Sequence, residues 1–152
     1  MKLRDLAKLL NIEKPKPVLQ PMHVRNPYAD AYYGNLEKIE VMWSVLRNLN
    51  AFHTPQAYQL EQLCKQNIVE YKQYISLENV PPLHAPAFVR LAMLYEKQER
   101  WDDGIKVCVD AIKSGAYEDG SNGKMYGRLA RLIKKSGKTY GEEILKLTKG
   151  AL

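Results

Sequence analysis

The stretch of sequence that decides the fold is residues 85–116, APAFVRLAMLYEKQERWDDGIKVCVDAIKSGA. It predicts two short helices joined by a tight turn. Pro86 suits the first position of a helix, because its missing N–H is not needed there. Apolar residues then recur every three or four positions, as on one face of a helix, at Phe88, Leu91, Ala92 and Tyr95. The polar run 96–100 ends this pattern and marks the turn.

The second helix of this stretch has its own start and stop signals. Asp102 and Asp103 place negative charge at its beginning, where the helix dipole favours it, and Ser114-Gly115 is a good end signal. Small residues stand where the two helices would touch, at Ala92, Gly104 and Ala111. The stretch therefore predicts an antiparallel helical hairpin over residues 85–116.

A degenerate copy of the hairpin follows at residues 121–150. The earlier apolar spacing returns 38 residues further on, at Tyr126, Leu129, Ala130 and Ile133. Ser121 is a candidate cap for the first helix of the copy, and Ser136-Gly137 ends it. Ala130 is expected at a helix contact, like Ala92.

The pattern Phe88-x2-Leu91-Ala92-x2-Tyr95 resembles the W-x2-L-G-x2-Y signature of tetratricopeptide repeats. The resemblance covers about residues 85–149. It implies an all-α fold in which antiparallel hairpins stack as a short right-handed superhelix. Proteins of this type act as interaction scaffolds, so the resemblance favours a binding module.

Two longer helices are predicted over residues 28–80. Asn26-Pro27 and Thr54-Pro55 each combine a cap residue with a proline at the first helical position. This pair lacks the repeat pattern and can serve as an N-terminal cap for the hairpins. Its long apolar seam can pair within the chain or between chains, which leaves the oligomeric state open.

The N-terminal 27 residues divide into a helix and an extended strap. Leu3, Leu6, Leu9 and Leu10 predict a short amphipathic helix over Leu3–Ile12. Four prolines then require an extended chain, at Pro15, Pro17, Pro21 and Pro27. We expect the strap to lie against the helices, so that residues 1–152 form a single helical domain.

Composition excludes several classes of protein. A hydrophobic fraction of 45% is ordinary for a globular domain, and no apolar run approaches the roughly 18 residues of a membrane span. The charged N-terminus does not read as a secretory signal. Cys64 and Cys108 fall inside apolar stripes, which favours buried, reduced thiols. We therefore expect a cytoplasmic protein with no membrane partner.

No residue pattern points to catalysis. His23, His53 and His84 have no Cys, Asp or Glu at metal-ligand spacing. The adjacent carboxylates at 102–103 and 142–143 stand where helix starts favour negative charge. We expect a non-enzyme without metal or cofactor.

Positive charge concentrates at the C-terminal end. Residues 121–152 hold eight Lys and Arg against two Asp and Glu, whereas residues 1–120 hold 15 of each. In tetratricopeptide repeats the first helix of each hairpin lines the concave surface, so the resemblance implies a groove lined by Val89, Arg90, Met93, Lys97, Lys124, Arg128, Arg131, Lys134 and Lys135.

Such a groove would bind an acidic peptide or an acidic protein surface. Nucleic acid is the alternative partner, with Tyr126 and Tyr140 available for stacking on bases. A third interpretation is that the basic face only keeps the protein in solution.

Overall fold

The computed structural model describes residues 25–150, which form six helices and no strand. The helices are α1 (Ala29–Leu49), α2 (Pro55–Ile75), α3 (Pro86–Lys97), α4 (Trp101–Lys113), α5 (Lys124–Ser136) and α6 (Glu142–Leu147). The all-α prediction is thus confirmed over this range. The helix predicted at Leu3–Ile12 and most of the proline-rich strap lie outside the described residues.

Local sequence signals explain where several helices begin and end. The Thr54 side chain accepts a hydrogen bond from the Ala57 N–H at 3.3 Å, with Pro55 at the first helical position. The Ser121 hydroxyl accepts one from the Lys124 N–H at 3.1 Å, but the cap position of α5 is Gly123 and not the predicted Ser121. Helix α5 ends at Ser136 and is followed by the cap residue Gly137, which has a φ of 69°. A positive φ of this kind favours glycine, because glycine has no Cβ that would clash with the backbone.

The helices pack in consecutive antiparallel pairs. Helix α1 packs on α2, α3 on α4, and α4 on α5, while α2 and α1 both contact α3. Asn35 near the start of α1 donates to both oxygens of Glu70 near the end of α2, at 3.0 and 2.8 Å, which fixes their antiparallel direction. Helix α6 has only six residues and touches α4 and α5 less extensively.

One hydrophobic core runs through the described helices, from Tyr32 to Leu147. The rings of Tyr71 on α2 and Phe88 on α3 meet edge to face at 5.7 Å. A buried carboxylate reinforces this junction, because Glu61 accepts hydrogen bonds from the Tyr95 hydroxyl at 2.8 Å and from Arg100 at 2.8 Å. Burial works to raise the pKa of Glu61, but the donors around it outweigh burial and hold the pKa below its usual value.

The small residues mark close helix contacts at three of the four expected positions. Ala92 and Ala111 are fully buried. A Cβ added at Gly104 would approach Leu132 Cδ1 to 3.1 Å, so α4 and α5 come close there. The prediction for Ala130 is wrong, since this residue is exposed. Helix α5 turns a neighbouring face toward the core, formed by Met125, Leu129 and Leu132.

No helix within residues 25–150 is long and apolar enough to cross a membrane.

Candidate binding groove

A groove of about 420 Å³ opens beside the C-terminal half of α3 and helix α5. We call it the charged groove; its walls are Met93, Glu96, Lys97, Glu99, Trp101, Arg128, Arg131 and Lys135. Five of the nine residues predicted from the sequence therefore meet in one place. These are Met93, Lys97, Arg128, Arg131 and Lys135.

Glu96 organises the charges of this groove. Arg131 donates two parallel hydrogen bonds to its carboxylate, from Nε to Oε2 at 3.0 Å and from Nη2 to Oε1 at 2.9 Å. Lys135 Nζ donates to Oε2 at 2.8 Å. The Glu96 side chain is only 16% exposed. The hydrogen bond from Arg131, with help from Lys135, outweighs burial and lowers the pKa of Glu96 to about 2.

Arg128 is engaged inside the protein. Its Nη2 lies 3.0 Å from Asp119 Oδ2, and the side chains of the pair are 11% and 0% exposed. Burial works to raise the pKa of Asp119, but bonds from Ser121 and the charge of Arg128 hold it below its usual value. This ion pair fixes the loop before α5 against the helix, so Arg128 has a structural role.

A surplus of positive charge faces the solvent. Arg131 and Lys135 share the carboxylate of Glu96, which Arg128 Nη1 also approaches to 3.8 Å, yet the side chains of Arg131 and Lys135 remain 47% and 44% exposed. Lys97, on the opposite wall, is also exposed. Because Arg128 is already matched by Asp119, the cations that can reach a ligand are Lys97, Arg131 and Lys135.

Apolar surface lies next to these cations. Trp101 and Met93 are half-buried, and each leaves part of its side chain on the groove wall. Lys135 Nζ lies 5.7 Å from the centre of the Trp101 ring, within the range of a cation–π contact. The groove can therefore hold a carboxylate and an apolar side chain at the same time.

The other four predicted residues do not line the charged groove. Val89 is 5% exposed and belongs to the core, so its predicted place on the groove wall is corrected. Arg90 forms a two-bond ion pair with Glu40 of α1, at 2.7 and 2.9 Å. Lys124 Nζ lies 3.4 Å from Glu118 Oε2. Lys134 is exposed on α5.

The tyrosines considered for base stacking are engaged within the protein. Tyr126 stacks on Tyr117 with ring centres 5.7 Å apart. The Tyr140 hydroxyl donates to Asp102, which also pairs with Lys138 at 2.6 Å. Neither ring is presented as an open platform for a base.

Sequence reasoning missed the anionic and aromatic members of the site. Glu96 pairs with Arg131, which lies 35 residues further along the chain, and Asp119 pairs with Arg128, nine residues further on. No helical periodicity connects such pairs, so the spacing that revealed the cations could not reveal their partners. Trp101 is detectable as the aromatic residue that opens α4, but its direction depends on how α4 packs against α5.

Within residues 25–150, no group of three His, Cys, Asp or Glu side chains could hold a metal ion. Burial raises the pKa of both the Cys64 and the Cys108 thiol to about 12, so neither is a ready nucleophile. Comparisons with protein-family models, with curated proteins and with solved structures find no significant match for this chain.

Proposed function

We propose that this protein is a non-catalytic interaction module that binds an acidic peptide, or an acidic segment of a protein surface, in the charged groove. The observation that carries the proposal is the pairing of two half-exposed cations, Arg131 and Lys135, with one carboxylate. Glu96 satisfies only part of their bonding capacity. A second carboxylate, supplied by a partner, would complete it.

The donor count supports this proposal. A guanidinium has five N–H donors and an ammonium has three. Arg131 uses two of its donors on Glu96 and Lys135 uses one. The remaining donors and the exposed Lys97 suit carboxylates spaced along a peptide. Met93 and Trp101 add apolar contact, which favours a ligand with acidic residues beside a bulky apolar one.

The order of helix contacts is consistent with a tetratricopeptide-like stack, which forms part of the proposal. Arg90 of α3 pairs with Glu40 of α1, and Glu96 of α3 pairs with Arg131 of α5. The first helices of successive pairs are thus neighbours on one side. Lys72 of α2 pairs with Asp110 of α4 at 2.9 Å on the other side. In such a stack the charged groove belongs to the surface lined by first helices.

Trp101 provides a direct assay. Titration with synthetic peptides that alternate glutamate and leucine should change the fluorescence of Trp101, while Trp43 is 2% exposed and should respond little. The double change Arg131→Gln and Lys135→Gln should weaken binding by about tenfold to a hundredfold, as expected for losing two charge-assisted contacts.

Lys146→Gln with Lys149→Gln is the matched control. It removes the same charge from exposed residues that do not line the groove, and it should leave affinity within about twofold. Equal affinities of the two double variants would overturn the proposed site. Duplex DNA serves as a competitor: binding to DNA that falls steeply with salt and ignores the groove variant would favour a nucleic-acid partner instead.

A further inference from the structure

A second groove, of about 630 Å³, runs along the outer face of helix α4. We call it the α4 groove. Segment 138–144 forms its opposite wall, and none of the residues that line the charged groove lines this one. The α4 residues that border it recur at the spacing of one helix face, at Asp102, Ile105, Lys106, Val109, Asp110 and Lys113.

The groove is open because the last helix is short. Helix α4 has 13 residues and extends about 20 Å at 1.5 Å per residue, whereas α6 has six residues and extends about 9 Å. Helix α5 has 13 residues and packs along α4 more extensively. On the side of the α4 groove, α6 can therefore cover at most about half the length of α4.

The floor of the α4 groove is apolar. Ile105 is 2% exposed, and Val109 on α4 and Ile144 on α6 are half-buried. Val109 and Ile144 leave part of their side chains on the groove surface. An apolar side chain laid on them would remove this surface from water, which favours binding in proportion to the area covered.

The two carboxylates of the α4 groove are already matched within the protein. Asp102 accepts hydrogen bonds from Lys138 Nζ at 2.6 Å and from the Tyr140 hydroxyl. Asp110 accepts two from Lys72 Nζ, at 2.9 and 3.0 Å. Neither carboxylate therefore requires a cation from a ligand.

Two lysines of the same α4 face lack such close partners. Within residues 25–150, Lys106 has no ion pair, since the neighbouring Asp102 is bonded to Lys138 instead. Lys113 Nζ lies 3.9 Å from Glu143 Oε1, beyond hydrogen-bond distance, and the two side chains are 57% and 87% exposed. Lys106 and Lys113 are seven residues apart, which is about 10.5 Å along α4. The groove thus presents two cations at this spacing beside an apolar floor.

We propose that the α4 groove binds an amphipathic helix of a partner protein, with two acidic residues seven positions apart and two apolar residues between them. In a helix, residues i and i+7 share one face about 10.5 Å apart, which equals the spacing of Lys106 and Lys113. Apolar residues at i+3 and i+4 belong to the same face and would lie over Val109 and Ile144.

An extended peptide does not match the lysine spacing. Strand residues rise about 3.3 Å each, so a separation of about 10.5 Å corresponds to three residues. Side chains three residues apart in a strand point to opposite faces, so only one of two acidic residues would face the lysines. The spacing of Lys106 and Lys113 therefore selects a helix. The proposal does not depend on the ligand of the charged groove.

Two stapled helical peptides, each labelled with a fluorophore, test the proposal on the full chain. Both contain two glutamates and two leucines, with the staple on the face away from them. In the first peptide the glutamates are seven positions apart with the leucines between them. In the second, one glutamate is moved back by two positions, which turns it away from the leucine face.

Fluorescence anisotropy should show that the first peptide binds at least about tenfold more tightly than the second, because only its glutamates can reach both lysines. The two peptides have the same composition and net charge. Equal affinities would overturn the proposal, since binding would then follow charge and not spacing.

The double variant Lys106→Gln with Lys113→Gln should weaken binding of the first peptide by about tenfold, to the level of the second. Lys146→Gln with Lys149→Gln removes the same charge outside the groove and should leave the affinity within about twofold. Charge reversal, Lys106→Glu with Lys113→Glu, should instead favour a peptide in which both glutamates are replaced by lysine. Failure of this reversal to change the preferred peptide would contradict the proposed contacts.

Arg131→Gln with Lys135→Gln separates this site from the charged groove, and it should leave affinity for the first peptide within about twofold. Loss of binding in this variant, with binding retained in Lys106→Gln with Lys113→Gln, would place the helix in the charged groove and refute the inference. Sedimentation of the protein alone tests self-association. An oligomer that the Lys106 and Lys113 substitutions dissociate would mean that a second copy occupies the α4 groove, and this result would also refute the inference.

Discussion

At the scale of single residues, Glu96 sets the arrangement of the charged groove. It receives three hydrogen bonds from Arg131 and Lys135, all between 2.8 and 3.0 Å. Without the carboxylate, the two cations would repel each other and α5 would lose an anchor on α3. The same residue therefore holds the groove together and leaves it short of negative charge.

The pKa of Glu96 predicts a pH-dependent contribution to stability. Its folded value of about 2 lies below the ordinary value of 4.5. A depressed pKa contributes stability that is fully present above the ordinary value and is lost as the pH falls through the folded one. Glu96→Gln should lower the free energy of unfolding by about 1–3 kcal/mol at neutral pH. The difference from the unsubstituted protein should shrink between pH 4.5 and 2, measured by urea unfolding.

Glu99→Gln is the control for that series. Glu99 is an exposed carboxylate on the wall of the same groove. Its substitution should change the free energy of unfolding by less than about 0.5 kcal/mol at every pH. A Glu96 effect that persists at pH 2, or an equal effect at Glu99, would refute the assignment of a structural charge to Glu96.

The sequence predicted the cations of the site better than their environment. Arg128, Arg131 and Lys135 share a helix face by spacing alone, and the structure brings them together. The same spacing could not show that Asp119 already neutralises Arg128. The family resemblance wrongly placed Val89 on the groove wall. It indicates which helix lines a surface, but it does not determine how that helix is rotated about its axis, and a shift of one residue changes the exposed face.

At the scale of helices, the closest approach of α4 to α5 depends on Gly104. A Cβ there would already lie 3.1 Å from Leu132, so a larger side chain must push α5 away. Gly104→Leu should lower the free energy of unfolding by about 1–3 kcal/mol. Gly34→Leu is the matched control, because a Cβ at Gly34 meets nothing within 4 Å. It should be neutral or stabilising by up to about 0.8 kcal/mol through helix propensity, and thermal unfolding compares the two.

If Gly104→Leu proved as well tolerated as Gly34→Leu, the close contact between α4 and α5 would be wrong. Gly104→Ala separates size from backbone effects. Leu132 is a flexible neighbour that can move by a few tenths of an ångström. The alanine variant should therefore stay within about 1 kcal/mol of the unsubstituted protein, since its gain in helix propensity offsets the tighter contact.

Helix starts were predicted better than helix faces, although α1 begins at Ala29 rather than at the predicted Pro27. Pro55 and Pro86 begin α2 and α3 as predicted, because a missing N–H and a fixed φ act locally. Ala130 was misplaced because a face of α5 one residue away, with Met125 and Leu132, is also apolar. One residue corresponds to a rotation of about 100°, and only packing against α4 decides between the two faces.

At the scale of the whole molecule, the described helix pairs form a row, and the helices at its two ends differ in length. Helices α1 and α2 have 21 residues each, whereas the final helix α6 has six. Each helix pair contacts mainly its neighbours. The local free energy of unfolding should therefore differ from one pair to the next. The two helices of the C-terminal pair, α5 and α6, touch each other far less than α1 and α2 do, so this pair should open first.

The two buried thiols can report this order of opening. Cys64 lies on α2 and Cys108 on α4, and both are fully buried. In rising urea, pulsed alkylation followed by mass spectrometry should label Cys108 at a lower concentration than Cys64, because release of the last pair uncovers α4 first. Gly104→Leu should bring Cys108 labelling to still lower urea and leave Cys64 nearly unchanged, while Gly34→Leu should move neither to lower urea. Labelling of both cysteines in a single transition would mean that the row unfolds as one cooperative unit, and earlier labelling of Cys64 would place the weak end at α1 and α2.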